Sequence, residues 1–538
     1  MDVVGARYKL HVARTLLETG IIHPMRPDKA LRSLAALHRW GPTAAAAYKG
    51  ASIACPDRTA IVDERGALTF AEVHRRTNAL AHELAAAGVH AGDGVAIMCR
   101  NHRGFIDASI AVAKLGADIL YLNTAFAGPQ LVDVLEREKP AVVVHDEEFT
   151  GLLEKAADAD RVLAWCDDPE AAAKQGLDTL EGLLAAGDDA DHRAPEKSSR
   201  IIILTSGTTG TPKGAPRSEA GIDAAVALLS RLPLRSGWRT HVAAPLFHTW
   251  GWAHWALSML LGSTVVLRRK FDPEDCLKAV TDERCDSLVV IPVMLQRILQ
   301  LPQETLDAHD FHTVKVVAAS GSALPGDLGT TWMDQFGDTL FNIYGSTEVA
   351  YATIATPVDL REAPGTAGKA PYATVVKIFD ADGTELPQGE AGRIFVGNGI
   401  LFEGYTGGGH KDMLDGLMSS GDVGRFDADG RLFVEGRDDE MIVSGGENVF
   451  PKEVEDCLVR HDKVVEAAAI GVDDDDFGKR LRAFVVLTGS DAVSEDDLKA
   501  YVKDNLARYK VPREIVFLDE LPRNATGKIL KRELVDHE

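Results

Sequence analysis

Short apolar runs alternate with longer amphipathic segments from about residue 59 to residue 320. The runs "TAIVDE" (59–64) and "DGVAIMC" (93–99) have the length and composition of buried strands. In "TFAEVHRRTNALAHELAAAG" (69–88) and "FIDASIAVAKLGA" (105–117), apolar residues recur at helical spacing. Further strand-like runs are "AVVVHD", "SRIIIL", "STVVLRR", "SLVVIP" and "TVKVVAAS". Strands that alternate with helices predict an α/β domain of parallel sheets with helices on both faces.

The pattern changes after about residue 371, where short strands separated by glycine-containing turns replace the alternation. "TVVKIFDADGTELP" and "GRFDADGRLFVEGR" both contain the turn signal DADG, so they predict hairpins of a β-rich subdomain. A small unit with helical and strand-like segments follows, beginning with "KEVEDCLVRH". We expect a domain boundary near residues 437–439. It separates a large N-terminal domain (51–437) from a small C-terminal α+β domain (438–538). A basic N-terminal helical segment (1–50) precedes both.

Length and composition place the chain among ordinary soluble globular proteins. Its 538 residues are too many for one core, and 45% are hydrophobic. The net charge of -23 excludes a general nucleic-acid binder, which needs a basic surface. The six cysteines form no CxxC pair or Cys/His cluster, so neither a disulfide framework nor a zinc site is indicated. Without a signal-peptide pattern or an apolar run of about 18 residues, we expect a cytoplasmic protein.

The segment "ILTSGTTGTPKG" (203–214) follows a strand-like run and combines glycines, hydroxyl side chains and one lysine. Glycine lets several backbone N–H groups converge on an anion, so such a turn is typical of a phosphate-binding loop. It is not the Walker loop GxxxxGK[ST], because Pro212 stands five residues after Gly207 and Gly214 follows Lys213. The residues alone leave two alternatives, a phosphate-binding loop of another type or a Gly/Thr-rich surface loop.

This segment resembles the signature loop of the adenylate-forming superfamily, which includes acyl-CoA synthetases, luciferases and the adenylation domains of peptide synthetases. Further motifs of that superfamily follow in the same order: "YGSTE" (344–348), "SGDVGRFDADG" (420–430), "GRDDEMIVSGGENVFPKEVE" (436–455) and "PRNATGKILKREL" (522–534). "GENVFPKEVE" is most similar to the bacterial fatty-acid–CoA ligases. The resemblance covers nearly all of the chain after residue 50. One departure is Ser420, which stands where the family usually has threonine and keeps the hydroxyl.

The resemblance implies the adenylate-forming enzyme fold, in which the C-terminal domain is mobile, and a reaction in two steps. In the first step a carboxylic acid attacks the α-phosphate of ATP, giving an acyl-adenylate and pyrophosphate. In the second, CoA displaces AMP. The implied cofactors are ATP, Mg²⁺ and CoA, and the implied activity is that of an AMP-forming fatty-acid–CoA ligase. The alternative is an acyl-adenylating enzyme that delivers its product to a carrier protein or another acceptor.

Site residues are carried over by motif. Thr205 to Lys213 would hold the β- and γ-phosphates, Thr347 the α-phosphate, and Glu348 with Thr205 the Mg²⁺ ion. Lys528 would bridge the acyl carboxylate and the α-phosphate, and Asp439 would be the hinge that later removes it. Asp422 and Arg437 would hold the ribose, Tyr344 would stack on the adenine, and Ser320, Gly321 and Ser322 would lie on the adenine side. The remaining ATP- and AMP-binding candidates are Ser206, Gly207, Thr208, Thr209, Gly210, Gly345 and Ser346. Ser444, Gly445 and Gly446 would line the CoA tunnel. The residue alternatives are a helix N-terminal carboxylate for Glu348, core packing for Tyr344, an ion pair for Asp422 and Arg437, and a solvated lysine for Lys528.

The segment "PLFHTWGWAHWALSML" contains three of the seven tryptophans. In a helix, Trp252, Trp255 and Met259 would share one face. The resemblance makes Trp252 and Trp255 the wall of the acyl pocket, with His248 at its mouth and catalytic; the alternative is an aromatic core helix. Amino-acid-activating relatives usually carry aspartate at position 248, so the resemblance favours an apolar acid over an amino acid.

The first forty residues are locally basic within an acidic protein, and "KALRSLAALHRW" has the apolar spacing of an amphipathic helix. Such a helix either lies on an anionic membrane or packs against the acidic body or a dimer interface. The expected partners are small-molecule substrates and no nucleic acid, with peripheral membrane contact as an open alternative. The sequence does not distinguish a monomer from a homodimer.

Overall fold

The computed structural model of the chain describes residues 3–41, 43–126, 128–154, 159–168, 172, 178–205, 213–217, 222–405, 409–438, 442–444, 447–449, 451–474, 478–488, 493–506, 510–524 and 527–535. Three helices open the chain: α1 (Val3–Glu18), α2 (Pro27–Trp40) and α3 (Ala44–Ala54). The later α-helices are Phe70–Ala86, Arg103–Leu115, Gly128–Glu138, Thr150–Leu153, Leu180–Ala186, Ile222–Leu229, Thr249–Leu260, Pro273–Asp282, Pro292–Leu299, Gln303–Asp307, Gly326–Phe336, Pro357–Glu362, Pro451–Val459, Glu495–Asn505 and Lys531–Leu534.

The strands, numbered in chain order, are β1 (Thr59–Asp63), β2 (Gly66–Thr69), β3 (Gly94–Met98), β4 (Asp118–Tyr121), β5 (Val142–Asp146), β6 (Asp160–Trp165), β7 (Asp178–Thr179), β8 (Ile201–Thr205), β9 (Lys213–Arg217), β10 (Arg239–Val242), β11 (Thr264–Val266), β12 (Ser287–Val290), β13 (Val316–Ala319), β14 (Leu340–Tyr344), β15 (Thr353–Ala355), β16 (Val375–Phe379), β17 (Gly392–Gly397), β18 (Met413–Leu414), β19 (Leu417–Phe426), β20 (Leu432–Arg437), β21 (Ile442–Ser444), β22 (Glu447–Val449), β23 (Val464–Asp474), β24 (Gly478–Leu487) and β25 (Glu514–Phe517).

The alternating part of the sequence forms two sheets. One has the order β15-β14-β13-β12-β10-β11-β1-β2 and the other the order β7-β6-β5-β3-β4-β8-β9. Pairing is parallel except at edge strands β2, β15 and β9. All four residues of β12 and of β13 are buried, as expected for parallel strands covered on both faces. The predicted α/β class is confirmed.

The β-rich subdomain is an antiparallel sheet of β16, β17, β18, β19 and β20. Its predicted hairpin between β19 and β20 turns at Asp427, whose Oδ1 accepts hydrogen bonds from the backbone N–H groups of Asp429 and Arg431. Strand β20 ends at Arg437, whereas β21 belongs to a separate sheet that also contains β22, β23, β24 and β25. The change of sheet lies at the boundary predicted near residues 437–439, and the domain limits 51–437 and 438–538 stay a prediction.

The N-terminal segment packs against the large domain. Helix α2 lies on α3, and α3 contacts the helix Thr249–Leu260, which we call the tryptophan helix. Trp40 and Tyr48 are buried in the same core as Trp255. Within the described part of the chain, no helix has the length and hydropathy required to cross a membrane.

Candidate active site

Most of the carried-over motif residues that the structure describes line one cavity of about 2240 Å³. The carboxyl ends of neighbouring parallel strands meet at the same sheet edge, which brings Ser320 after β13 close to Tyr344 at the end of β14. The β-rich subdomain contributes Asp422 and Arg437, and the C-terminal domain contributes Lys528. Three separate structural units therefore supply the walls of this cavity.

Tyr344 and Asp422 are linked directly. The Tyr344 hydroxyl donates to Asp422 Oδ2 at 2.6 Å and lies 3.0 Å from Ser420 Oγ. Arg437 Nη1 lies 3.4 Å from Asp422 Oδ1. Burial raises the pKa of Asp422, and the charge of Arg437, the Tyr344 hydrogen bond and the charge of Lys528 oppose that rise. The carboxylate is thus held close to three groups that favour its ionised form, at the place predicted for ribose binding.

Lys528 lies in the cavity on a short loop that the C-terminal domain presents to the large domain. Its backbone N–H donates to Asn524 Oδ1 at 2.9 Å, and its carbonyl accepts from the Asn524 N–H at 2.9 Å. The Arg523 guanidinium donates to the Gly527 carbonyl and pairs with Glu466. These contacts fix the loop, so that the lysine shares the cavity with Asp422.

Gly527 is the point at which this loop meets the large domain. Its φ of 75° lies in the left-handed region, and a Cβ added there would be 2.5 Å from Val293 Cγ1 and 3.1 Å from Ile291 Cδ1. Ile291 also packs near Gly321, where an added Cβ would be 3.3 Å from Ile291 Cγ2. The Lys528 loop therefore docks beside the adenine-side segment Ser320–Ser322, which also lines the cavity.

Glu348 faces the cavity, and its Oε1 accepts a 2.6 Å hydrogen bond from the Tyr405 hydroxyl. Its backbone carbonyl accepts from the Phe402 N–H at 2.9 Å. Among the described residues, Tyr405 is the hydrogen-bond partner of this carboxylate, so oxygen lone pairs remain for a hard cation such as Mg²⁺. The residue type and position fit the predicted Mg²⁺ ligand. The Thr205 side chain, its predicted partner, lies outside the described residues.

The neighbouring motif residues Gly345, Ser346 and Thr347 also line the cavity. A Cβ added at Gly345 would lie 2.2 Å from the Ala350 carbonyl oxygen, so only glycine fits this turn. The Ser346 hydroxyl accepts a weak hydrogen bond from the Val349 N–H at 3.4 Å. Here the backbone folds back on itself directly after β14, which places Thr347 and Glu348 at the cavity wall.

The predicted phosphate loop joins two strands whose ends are paired. Thr205 ends β8 and lies opposite Lys213, the first residue of the antiparallel strand β9. Ser206, Gly207, Thr208, Thr209 and Gly210 lie outside the described residues, as do the side chains of Thr205 and Lys213. Gly445, Gly446, the hinge candidate Asp439 and the side chain of Ser444 are likewise outside them. The roles of all these residues remain predictions.

At the acyl end, His248 immediately precedes the tryptophan helix and lines the cavity with Trp252. Burial lowers the pKa of His248 to about 3, and its Nε2 has no hydrogen-bond partner in the described part of the chain. A neutral imidazole at this position provides no fixed charge for a substrate ammonium group. Trp255 also belongs to the lining, but it is fully buried and its Nε1 donates to the Tyr48 hydroxyl at 3.3 Å.

Several residues of the site were not predicted. Tyr405 positions Glu348, Gly527 allows the Lys528 loop to dock, and Arg523 holds that loop. Helix α3 lines the acyl end with Ala47, Gly50, Ala51 and others. An aromatic residue in "FEGYTGG" was the only sequence signal for Tyr405, and the alanine-rich α3 carries no chemical motif.

These features define a nucleotide-dependent enzyme whose active site lies between a large and a small domain, and comparison with known proteins identifies its family. The sequence matches the AMP-binding enzyme family over residues 51–406 and the C-terminal domain of AMP-binding enzymes over residues 453–528. The chain belongs to this family, and it is an ATP-dependent acyl- or aryl-CoA ligase that acts through an adenylate. Its cofactors are ATP, Mg²⁺ and CoA, as the sequence predicted.

Relatives differ in the acids they are named for. The chain is 34% identical to a feruloyl-CoA synthase of Amycolatopsis sp over 89% of its length and 96% of the relative's. It is 31% identical to the fatty acid–[acyl-carrier-protein] ligase ScoC of Streptomyces coeruleorubidus, over 89% and 93% of the two chains. The structure of o-succinylbenzoate CoA synthetase from Bacillus subtilis, in complex with its acyl-adenylate intermediate, superposes with a TM-score of 0.80. Identity there is 28%, over 91% of this chain and 98% of that one.

Proposed function

We propose that this chain activates a hydrophobic aromatic carboxylic acid as its acyl-adenylate and transfers the acyl group to CoA. The observation that carries the proposal is the single cavity shared by Lys528, Asp422, His248 and Trp252. A lysine, a carboxylate suited to ribose and an aromatic wall occur along one continuous space. The feruloyl and succinylbenzoate relatives are named for aromatic acids, and they favour this class of substrate over the fatty acid that the motifs imply.

The chemistry follows from the charges around the cavity. When the acid approaches the α-phosphate of ATP, two anions meet, and Lys528 is the cation placed to reduce their repulsion. Asp422 and Tyr344 hold the nucleotide by its ribose and base. Glu348 and the hydroxyl of Thr205 would hold Mg²⁺, which would neutralise phosphate charge. The aromatic and aliphatic acyl wall excludes water from the acyl group.

A fatty acid is the second candidate, favoured by the extent of the acyl end. The cavity continues past Trp252, between the tryptophan helix and the small side chains of α3. Ala47, Ala51 and Ala54 lie at helical spacing along α3 and leave room that a single aromatic ring does not require. Met259 of the tryptophan helix also lines the cavity and adds apolar surface to it.

The deciding experiment incubates the purified protein with ATP, Mg²⁺ and CoA and with one acid at a time. The panel is ferulate, indoleacetate, 2-succinylbenzoate, octanoate and hexadecanoate, and products are identified by mass. We expect acyl-CoA and AMP, with the highest kcat/KM for an aromatic acid. Highest kcat/KM for hexadecanoate would select the second candidate. If the enzyme forms the acyl-adenylate but no acyl-CoA, and transfers the acyl group to an added carrier protein, the carrier protein is the acceptor rather than CoA. No product from any acid would contradict both substrate proposals.

A further inference from the structure

Exposed apolar side chains are concentrated at the N-terminus. Six of the eleven large hydrophobic residues that are exposed in the described chain lie between Leu10 and Leu37. Three of them belong to α2, where Leu31 is 69%, Leu34 63% and Leu37 51% exposed. Together with Arg32 and Arg39 these leucines form the α2 patch. Leaving so many aliphatic side chains in water is unfavourable, which indicates that something covers them.

The patch is a face of an ordered helix. The opposite side of α2 buries Ala36 and Trp40 and packs on α3. The Lys29 ammonium donates to the Ala54 carbonyl at 2.9 Å, which ties α2 to the end of α3. The leucines are therefore presented outward by a helix whose other face is already part of the core.

The charge of this region is opposite to that of the whole protein. Residues 3–41 contain seven basic residues (Lys or Arg) and two acidic residues (Asp or Glu), whereas the whole chain has a net charge of -23. Within the described chain, neither Arg32 nor Arg39 has an ion-pair partner, although acidic side chains are abundant elsewhere. Unpaired arginines beside exposed leucines are typical of helices that lie in the interface of an anionic membrane.

The patch is also connected to the active site. Ser33 and Leu37 of α2 line the same cavity that contains His248 and Trp252. Because Leu37 is half exposed and also part of the cavity wall, the cavity reaches the surface at α2. A hydrophobic acid that dissolves in a bilayer would meet this opening directly if the bilayer covered the patch.

We propose that the α2 patch docks on an anionic lipid surface. The leucines would enter the headgroup and acyl boundary, and Arg32 and Arg39 would contact lipid phosphates. A two-fold dimer through the same patch would bring its unpaired arginines together, which like-charge repulsion disfavours. The docking itself does not depend on which acid the enzyme activates.

The test is flotation of the full-length protein with vesicles of phosphatidylcholine alone or mixed with phosphatidylglycerol. The wild type is expected to float with the anionic vesicles, and more weakly as salt is raised. Leu31→Ser/Leu34→Ser should lower the vesicle partition coefficient roughly tenfold, because two aliphatic side chains no longer enter the lipid. Arg32→Gln/Arg39→Gln should lower binding to anionic vesicles and remove its salt dependence.

The matched control is Val358→Ser, since Val358 is 63% exposed on a different helix and lies outside the N-terminal segment. Circular dichroism and ATP–pyrophosphate exchange with a water-soluble acid should be unchanged in every variant. The proposal is overturned if the wild type does not float, or if Val358→Ser reduces flotation equally. It is also overturned if sedimentation shows a vesicle-free dimer that Leu31→Ser/Leu34→Ser dissociates, or a loss of binding that tracks unfolding.

Discussion

Asp422 illustrates how single residues set the conditions under which this site works. In the proposed ribose site it must be ionised to accept the sugar hydroxyls, yet burial raises its pKa. The hydrogen bond from Tyr344 and the charge of Arg437 oppose this effect. Because the folded-state pKa lies above the ordinary value, nucleotide binding should weaken as the pH falls through that raised value.

Tyr344→Phe removes the 2.6 Å hydrogen bond to Asp422 while keeping the ring. Since that bond lowers the pKa of the carboxyl, the variant should have a higher Asp422 pKa, and the acid limb of the adenylation profile should move to higher pH. Well above this limb, kcat/KM for ATP should fall by roughly ten- to a hundredfold, the cost of one hydrogen bond to a charged group. The measurement is ATP–pyrophosphate exchange against pH. An acid limb at the wild-type position would show that Tyr344 does not control Asp422.

We predict that Lys528 is needed in only one of the two half-reactions. Lys528→Ala should lower adenylation by roughly 10²-fold or more, the scale for one transition-state donor, and leave thioester formation from supplied acyl-adenylate nearly intact. Lys377→Ala is the control, because Lys377 forms a solvent-exposed ion pair with Glu385 and does not line the cavity. Equal loss of both half-reactions, or adenylation at the wild-type rate, would contradict the split role.

At the scale of elements, α3 determines how much space the acyl end offers. Gly50 lines the cavity, and a Cβ added there meets no atom within 4 Å. Gly50→Leu should therefore narrow the cavity beside α3, since the Cβ of the new side chain meets no neighbouring atom, and replacing a helical glycine favours the helix. We expect kcat/KM for hexadecanoate to fall at least about tenfold, or about 1.4 kcal/mol, while kcat/KM for ferulate changes little.

Gly50→Ala is the matched control for this substitution, because it shares the helix effect but adds only one methyl group. It should behave as the wild type with both acids. If Gly50→Leu and the wild type have the same ratio of kcat/KM values for the two acids, the space beside α3 is not used by the acyl chain.

Elements with a strong hydrophobic period could be predicted, whereas their assembly could not. The buried β-branched runs of β12 and β13 and the apolar spacing of Phe70–Ala86 correspond to observed elements. The division of the parallel strands into two sheets depends on long-range pairing, such as β4 with β8. No local pattern encodes that pairing. The contribution of α3 to the acyl end was missed for the same reason, since alanines acquire this role only by packing near the tryptophan helix.

Motif residues were brought together as the resemblance implied, but the groups that support them were not foreseen. Tyr344, Asp422 and Lys528 share one cavity, although 184 residues separate the first from the last. Tyr405 supports Glu348, and Gly527 permits close packing on Val293. Such supporting contacts depend on three-dimensional proximity between residues with no distinctive chemistry of their own, so a single sequence does not reveal them.

At the scale of the whole molecule, we propose that the docked Lys528 loop represents the orientation in which adenylation takes place. The lysine occupies space beside the nucleotide site that a thiol must later enter, so we propose that the C-terminal domain rotates between the half-reactions. The contact between Gly527 and Val293 exists only while the loop is docked. Holding that contact closed should therefore separate the two steps.

A disulfide crosslink can hold the contact between Gly527 and Val293 closed. The added Cβ at Gly527 would lie 3.4 Å from Val293 Cβ, close to the separation found across disulfides. Val293→Cys/Gly527→Cys should, when oxidised, retain adenylation measured by pyrophosphate exchange and lose transfer to CoA by roughly 10²-fold, and reduction should restore transfer. Each single cysteine variant is assayed under the same oxidising conditions as a control. Gly527→Cys alone measures the effect of a side chain at φ 75°. Both single variants measure any effect of disulfides with the six native cysteines, of which five are buried. Full thioester formation by the crosslinked enzyme would show that both half-reactions proceed in one orientation, and the rotation would then have to be abandoned.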